Sequence, residues 1–343
     1  MAEHIAIIGD GSMACVMAML LEAKGLAVTV WGHDPDTVAE IIQTRENTAY
    51  LPGYRLPDAI RFTNKPDQAL NNADLVLNAT PTQFIRPVWQ ALAPHVPQTV
   101  GVASVSKGIE TDSLLRPTQI IADVLGRAQQ DDPDKPARPY ASISGPTVAH
   151  ELAKCLPATV CAASDDEAFA NAIQDAFTTH WFRVYTTTDL LGVELAGAMK
   201  NCIALAAGIL DGLQAGNNAK SALLSRGLAE ITRLGTAMGA NTQTFFGLTG
   251  VGDLATTCFS PTGRNRTCGE MLGRGKKLEQ VLEEIPGIVE GVPTAKAVMR
   301  LATKYRVEMP ICEQIYKVLF ENLDPLEAIS QLMSREPKAE KVG

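Results

Sequence analysis

The sequence has no cysteine pair spaced C-x-x-C. Its seven cysteines (Cys15, Cys155, Cys161, Cys202, Cys258, Cys268 and Cys312) are scattered and odd in number. That excludes a disulfide framework and a structural zinc site, and it suits reduced thiols in cytosol. No His, Cys and carboxylate cluster with ligand spacing offers a metal site either. Positive charge is in deficit: 30 Lys and Arg against 38 Asp and Glu give a net charge of −8. Such a balance argues against nucleic acid or an anionic membrane surface as partner. An anionic substrate must then be gathered by a local cluster of cations. The start, MAEHIAIIGDG, holds an acid at Glu3 and an apolar run far too short for a signal peptide. There is no internal repeat and no low-complexity tract. The apolar stretch Leu195 to Leu210 is too short, too rich in Gly and Ala, and too closely flanked by Glu194 and Asp211 to span a bilayer.

What is present is an ordinary globular composition, 46% hydrophobic and 20% charged over 343 residues, enough chain for two domains. His4 to Ile8 reads as a short β-branched strand. It ends in Gly9-Asp10-Gly11-Ser12-Met13-Ala14 and continues into a helical run from Cys15 to Lys24; a second strand follows at Ala27 to Trp31. Strand, glycine turn, helix and strand within about thirty residues is the context that a G-x-G-x-x-G/A dinucleotide fingerprint requires. Gly9 permits the tight turn, Gly11 lets backbone approach a pyrophosphate, and Ala14 allows close helix packing, with the helix N-terminus facing the phosphates. At the tip of the second strand an acid would grip the ribose 2′-hydroxyl of NAD. Here Gly32 and His33 come first and Asp34 only afterwards, so the pattern does not exclude NADP: Gly32 leaves space and His33 is either a contact for a 2′-phosphate or a plain turn residue.

Further strands are expected at Leu75 to Ala79, Thr99 to Ser104, Tyr140 to Ile143 and Thr159 to Ala163. Alternating with helical patterns, they predict a doubly wound parallel sheet. Two strand ends stand out, Val105-Ser106-Lys107-Gly108 and Ser144-Gly145-Pro146-Thr147, because open α/β sheets bind ligands there. Gln129 to Pro139 is a polar, proline-punctuated surface loop. From Asp189 onward strand signals nearly vanish. The expected organisation is a Rossmann-type domain over 1–188 and an all-α domain over 189–343, ending in a charged, frayed SREPKAEKVG.

The second half is organised around Asp189 to Gly212, apolar on every side and so read as a buried helix. Lys200 is the only charge between Leu195 and Leu210. Its neighbours at helical spacing are Ala196, Gly197, Ile203 and Ala204, which leave room for a ligand. Burial disfavours the ammonium form, so this lysine is a candidate base near neutral pH; the bland alternative is a packed stem with its head in water. Two loops carry further polar groups: Gly247 to Cys258, glycine-rich around Asp253, and Ser260 to Thr267, in which Gly263, Arg264 and Asn265 open a helix. Amides and a guanidinium there form a phosphate cradle, or else merely a capped surface helix with two exposed arginines.

Taken together, GDGSMA, WGHDP, VSKGIE, ISGPTVAHEL, GAMKN, GLAEITRLG, GDLATTC, GRNR and IVEG run end to end in the order of one family. The chain resembles the bacterial type of NAD(P)-dependent glycerol-3-phosphate dehydrogenase. Departures are Ala14 for Gly, Gly263 where bacterial members often have Ser, and a modest insertion at Gln129 to Pro139. The resemblance implies interconversion of sn-glycerol 3-phosphate and dihydroxyacetone phosphate with NAD or NADP, in a cytoplasmic homodimer that supplies phospholipid synthesis. By matching position, Lys200 resembles the catalytic base. Lys107, Gly145, Thr147, Asp253, Thr257, Gly263, Arg264 and Asn265 resemble the substrate and supporting set. Gly9, Gly11, Ser12, Met13, Ala14, His33, Lys107, Ala149, Arg264, Ile288 and Glu290 resemble cofactor contacts. Lys107 is expected to add like-charge repulsion that lowers the pKa of Lys200 further. The rivals are a hydroxy-acid dehydrogenase of the same plan, from which the Arg264-Asn265 phosphate site would distinguish it, and a non-catalytic NAD(P)-sensing protein.

Overall fold

A computed structural model describes residues 3–128, 137–337 and 339–340. Most of the expected loop and insertion at Gln129 to Pro139 lies outside the described residues, as do Lys338 and 341–343 of the expected frayed end. The chain divides into two compact units: Met1–Ser106 with Pro117–Leu190, and Lys107–Arg116 with Leu191–Gly343.

Among its described residues the first unit has ten strands: β1 (His4–Ile8), β2 (Ala27–Trp31), β3 (Glu46–Asn47), β4 (Leu51–Arg55), β5 (Arg61–Thr63), β6 (Leu75–Asn78), β7 (Gly101–Ser104), β8 (Tyr140–Ser144), β9 (Ala158–Ala163) and β10 (Phe182–Thr187). Eight of them form one sheet in the order β10-β9-β8-β7-β6-β1-β2-β5, and β3 pairs with β4 apart from it. Among the described residues, seven α-helices accompany them: α1 (Ser12–Ala23), α2 (Pro35–Thr44), α3 (Pro66–Leu70), α4 (Ile85–Leu92), α5 (Pro117–Ala128), α6 (Ala149–Leu152) and α7 (Glu167–Phe177). The central strands are continuous apolar runs because both faces are covered; in β1, Ile5 to Ile8 are all fully buried. Ile5 pairs with Val28 on one side and with Leu75 on the other. The strand order therefore reverses at β1, and its carboxyl end, where the glycine turn sits, is the switch point at which such sheets bind ligands. Two expectations need correction. The sheet is not wholly parallel, because β8 and β9 pair antiparallel, Ile143 against Ala162. Two strands of the sheet stand where none is expected: β5 pairs along β2 from Arg61 to Thr63, and β10 pairs along β9 from Phe182 to Thr187; the alternating buried and exposed residues of β10 are those of a strand with one face in the core.

The second unit contains α8 (Leu190–Gly212), α9 (Gly216–Ala237), α10 (Thr242–Phe245), α11 (Asp253–Phe259), α12 (Arg264–Gly273), α13 (Leu278–Glu284), α14 (Gly291–Tyr305), α15 (Pro310–Phe320) and α16 (Pro325–Met333). Helix α8 has 23 residues, long and apolar enough to cross a membrane by length and composition, contrary to the sequence expectation that it is too short. Its place is decided by packing: 94% of its most apolar window is buried within the protein. The segment Lys107–Arg116 joins this unit through Ile109, which is fully buried in its core, and through the Arg116–Glu194 ion pair.

Helices α8 and α12 cross backbone to backbone. A Cβ added at Gly208 would lie 1.9 Å from the Arg266 carbonyl oxygen, and one at Gly269 would lie 2.0 Å from that of Leu205. Gly212 and Gly273, one turn further along each helix, are equally closed, at 2.3 Å and 2.5 Å from carbonyl oxygens of the opposite helix. Any larger residue at this contact must push the two helices apart. The start of α12 is thereby held in a fixed relation to the helix that carries Lys200.

Candidate active site

Lys200 lies mid-way along α8 and is 6% exposed. Its ammonium donates to Asp253 Oδ1 at 2.5 Å and to Thr257 Oγ1 at 2.5 Å. The other carboxylate oxygen, Oδ2, accepts from Lys107 Nζ at 2.7 Å. Asp253 is thus a buried bridge between two cations. Its segment was read as a loop, but Asp253–Phe259 is a helix, which sets Asp253 and Thr257 one turn apart on a single face. The wide turn before it, closed by Gly252 N donating to Gly247 O at 3.3 Å, aims that helix start inward. The Thr257 hydroxyl donates to the Asp253 carbonyl at 2.7 Å, so the oxygen facing Lys200 acts as an acceptor. Two of the three ammonium protons are then engaged, and one remains for a ligand.

Burial is the largest influence on Lys200 and lowers its pKa to about 8; Asp253 opposes that fall, and Lys107 adds to it by repulsion. The repulsion expected from Lys107 is thus present but secondary to desolvation. Burial alone would raise the pKa of Asp253, yet the two lysines outweigh it and hold the carboxyl below its ordinary value. At neutral pH the cluster is two cations around one anion, with one net positive charge facing any substrate.

Asn201 was missed by sequence reasoning. Its side chain donates to the Lys107 carbonyl at 3.0 Å and accepts from Asn265 Nδ2 at 3.0 Å. Asn265 Oδ1 in turn accepts from Gly291 N at 2.8 Å. This relay ties the Lys107 segment, α8, the start of α12 and the start of α14 together; Ile288 and Glu290 stand just ahead of α14. The only sequence signal was the amide's position beside Lys200. Asn265, expected to face a phosphate, keeps one N–H for that purpose.

At the start of α12, Gly263 offers no side chain to the first-turn N–H groups, so that end is uncapped. Arg264 is exposed and has no ion pair or hydrogen bond among the described residues. Arg266 is different from the surface residue considered above: it is half-buried, with its Nε 2.7 Å from Asp211.

In the first unit the glycine turn fits a dinucleotide. Gly9 has φ +107° and stands so close to the Ala79 backbone, 3.1 Å from a would-be Cβ, that only glycine suits it. At Gly11 an added Cβ meets nothing within 4 Å, and no side chain caps α1 there. Open space beside uncapped N–H groups, with Ser12, Met13 and the buried Ala14 in the first turn, suits a pyrophosphate. His33 is exposed after β2, and Ala149 begins α6. Gly145 packs onto β9, a would-be Cβ falling 2.9 Å from Val160 Cα, and Thr147 Oγ1 donates back to the Gly145 carbonyl at 3.1 Å. The structure thus brings Lys107, Lys200, Asp253 and Thr257 into direct contact, links Asn265 to them, and gathers the glycine-turn residues and His33 in the other unit. Among the described residues, no group of three or more His, Cys, Asp or Glu is arranged to hold a metal ion.

Two sequence models match the chain: the NAD-dependent glycerol-3-phosphate dehydrogenase N-terminus over residues 4–170 and the C-terminus of the same family over residues 189–330. The chain belongs to this family. It is 45% identical over 342 residues to the glycerol-3-phosphate dehydrogenase [NAD(P)+] of Geobacter sp. (strain M21), covering all of both chains. Identity to the enzyme of that name from Geobacillus kaustophilus (strain HTA426) is 46% over 339 residues, covering 98% of this chain and 96% of the relative. The crystal structure of the glycerol-3-phosphate dehydrogenase of Coxiella burnetii is 34% identical, with a TM-score of 0.91, and covers 97% of this chain and 99% of its own. The chain is therefore an NAD(P)-dependent oxidoreductase.

Proposed function

We propose that the chain interconverts sn-glycerol 3-phosphate and dihydroxyacetone phosphate, with Lys200 as general acid and base. The observation that carries this reading is the buried cluster in which Asp253 and Thr257 hold the Lys200 ammonium. Bound NAD(P) supplies or accepts the hydride at the carbon that changes oxidation state. In the reductive direction, the remaining Lys200 proton hydrogen-bonds the carbonyl oxygen and passes to it as the carbon receives hydride. In the oxidative direction, neutral Lys200 removes the hydroxyl proton. A pKa of about 8 leaves the residue mostly protonated at neutral pH and readily deprotonated just above it. Asp253 aligns both lysines, and Lys107 adds positive charge beside the substrate oxygen. Arg264 and the uncapped start of α12 provide the donors for a phosphate dianion, which the net charge of −8 would otherwise repel.

On this reading residues 1–188 serve as the dinucleotide domain and 189–343 as the substrate and catalytic domain, with Lys107–Arg116 acting in the latter. The full reading includes a cytoplasmic homodimer that supplies glycerol 3-phosphate for phospholipid synthesis. The test is turnover of dihydroxyacetone phosphate with NADH or NADPH by the purified protein and by Lys200→Ala. The variant should fold and titrate with NADH normally while kcat falls at least about a hundredfold, the low end for a general acid or base. Normal turnover by that variant would leave α8 a structural element alone.

A further inference from the structure

The tip of β2 carries an acid that does not belong to β2. A Cβ added at Gly32 would lie 2.5 Å from Asp10 Oδ2 and 3.1 Å from its Cγ, with Val38 Cγ2 at 2.5 Å on another side. The Asp10 carboxylate therefore occupies the volume into which a side chain at position 32 would project, and the two compete for one place. Its backbone is fixed: the Asp10 carbonyl accepts from Asn47 Nδ2 at 2.5 Å and from Cys15 Sγ at 3.5 Å, and both donors are buried. Asp34, the other acid nearby, is committed to α2, where its Oδ2 accepts from Thr37 N at 2.9 Å and from Thr37 Oγ1 at 2.5 Å. The Asp10 carboxylate has no such partner. Beyond its own backbone N–H, nothing among the described residues donates a hydrogen bond to it; His33 attracts it and Asp34 repels it through space. Partial burial also pushes its pKa up, which marks a carboxylate short of donors.

We propose that Asp10 is the specificity-determining acid of the coenzyme site, accepting hydrogen bonds from the adenosine ribose hydroxyls of NAD(H) and disfavouring the 2′-phosphate of NADP(H). The chemistry is that of the acid at the end of the second strand in dinucleotide folds, with the carboxylate delivered from the glycine turn instead. A ribose diol offers the donors that Asp10 lacks, whereas a phosphate dianion brings only acceptors and like charge. Exposed His33 keeps NADP(H) usable; Asp10 sets the order, NADH ahead of NADPH. This inference rests on reading the first unit as the dinucleotide site.

The experiment is direct titration of NADH and NADPH, by their own fluorescence, into the wild-type protein, Asp10→Asn and Asp10→Ala. Wild type should bind NADH the more tightly. In Asp10→Asn, which keeps the shape and removes the charge, the ratio of Kd for NADPH to Kd for NADH should fall at least about tenfold, or 1.4 kcal/mol. Asp10→Ala should move it in the same direction. Tighter binding of NADPH by wild type, or a ratio that changes less than about twofold in both variants, overturns the proposal. Binding is read without substrate, so failure to turn over dihydroxyacetone phosphate would count against the functional reading and leave this test intact.

Discussion

Replacing Asp253 by Asn should move the pH dependence of the reaction in a direction fixed by the cluster. Of the influences on Lys200, burial and Lys107 lower its pKa and Asp253 raises it, with about 8 as the result. The Asn variant deletes the raising influence and keeps the lowering ones. Unit charges 4 Å apart attract by about 4 kcal/mol at an effective dielectric constant of 20, and here the nitrogen and oxygen are 2.5 Å apart. If only a third of that attraction is lost, the pKa falls by about one unit, or 1.4 kcal/mol. Reduction needs protonated Lys200, so its rate declines as pH rises through about 8 in the wild type; in Asp253→Asn that decline should come at least about one pH unit lower. The assay is kcat/KM for dihydroxyacetone phosphate across pH 5 to 10 at saturating NADH, beside a urea melt. Unpairing two lysines, one of them buried, should also cost about 3–5 kcal/mol of stability. Lys107→Met supplies the opposite sign: without its repulsion the decline should move upward in pH. Limbs that stay in place in both variants would refute the assignment of Lys200 as the titrating acid.

Arg264→Ala should lose roughly thirty- to a thousandfold in kcat/KM on dihydroxyacetone phosphate, the worth of one charge-assisted contact, but little on unphosphorylated dihydroxyacetone. Equal losses on both substrates would mean that Arg264 does not read the phosphate. Gly269→Ala drives a methyl group to within 2.0 Å of the Leu205 carbonyl oxygen and should destabilise the protein by about 3 kcal/mol or more in chemical denaturation. Gly126→Ala, in a helix where an added Cβ meets nothing within 4 Å, is its control and should stabilise by about 0.5–1 kcal/mol.

Local features were legible because local chemistry imposes them. The glycine turn after β1 needs Gly9 at positive φ against Ala79, and α13 and α16 begin and end where their apolar periodicity does. Lys200 could be singled out because a lone cation in an apolar run is visible without a partner. Its partners were not visible: Asp253 is 53 residues away from it, and Lys107 is 146 away from Asp253. A short helix beginning at Asp253 was hidden by the glycines before it, although the i,i+4 spacing of Asp253 and Thr257 was there to be read. The direction of β9 against β8 is a matter of how the chain returns, on which strand composition is silent. Asp10 went unremarked because its role depends on what Gly32 leaves empty, a relation between two turns that no single motif expresses.

The segment Lys107–Arg116 leaves the first unit for ten residues, places Ile109 in the other core, and then the chain returns. During synthesis, domains fold largely in the order in which they emerge, and the first unit's strands and glycine turn are complete by Leu190. Lys107 then has no Asp253, Arg116 has no Glu194, and Asn201 is not yet there to hold the Lys107 backbone. Those ten residues must wait as a tethered loop until more than sixty further residues have been made, and they are an early target for a protease in that interval. Once seated, the same detour makes the chain cross from one unit to the other three times instead of once. Cutting the polypeptide near residue 189 would consequently yield no autonomous catalytic fragment: residues 189–343 expressed alone would lack the lysine that completes their own cluster.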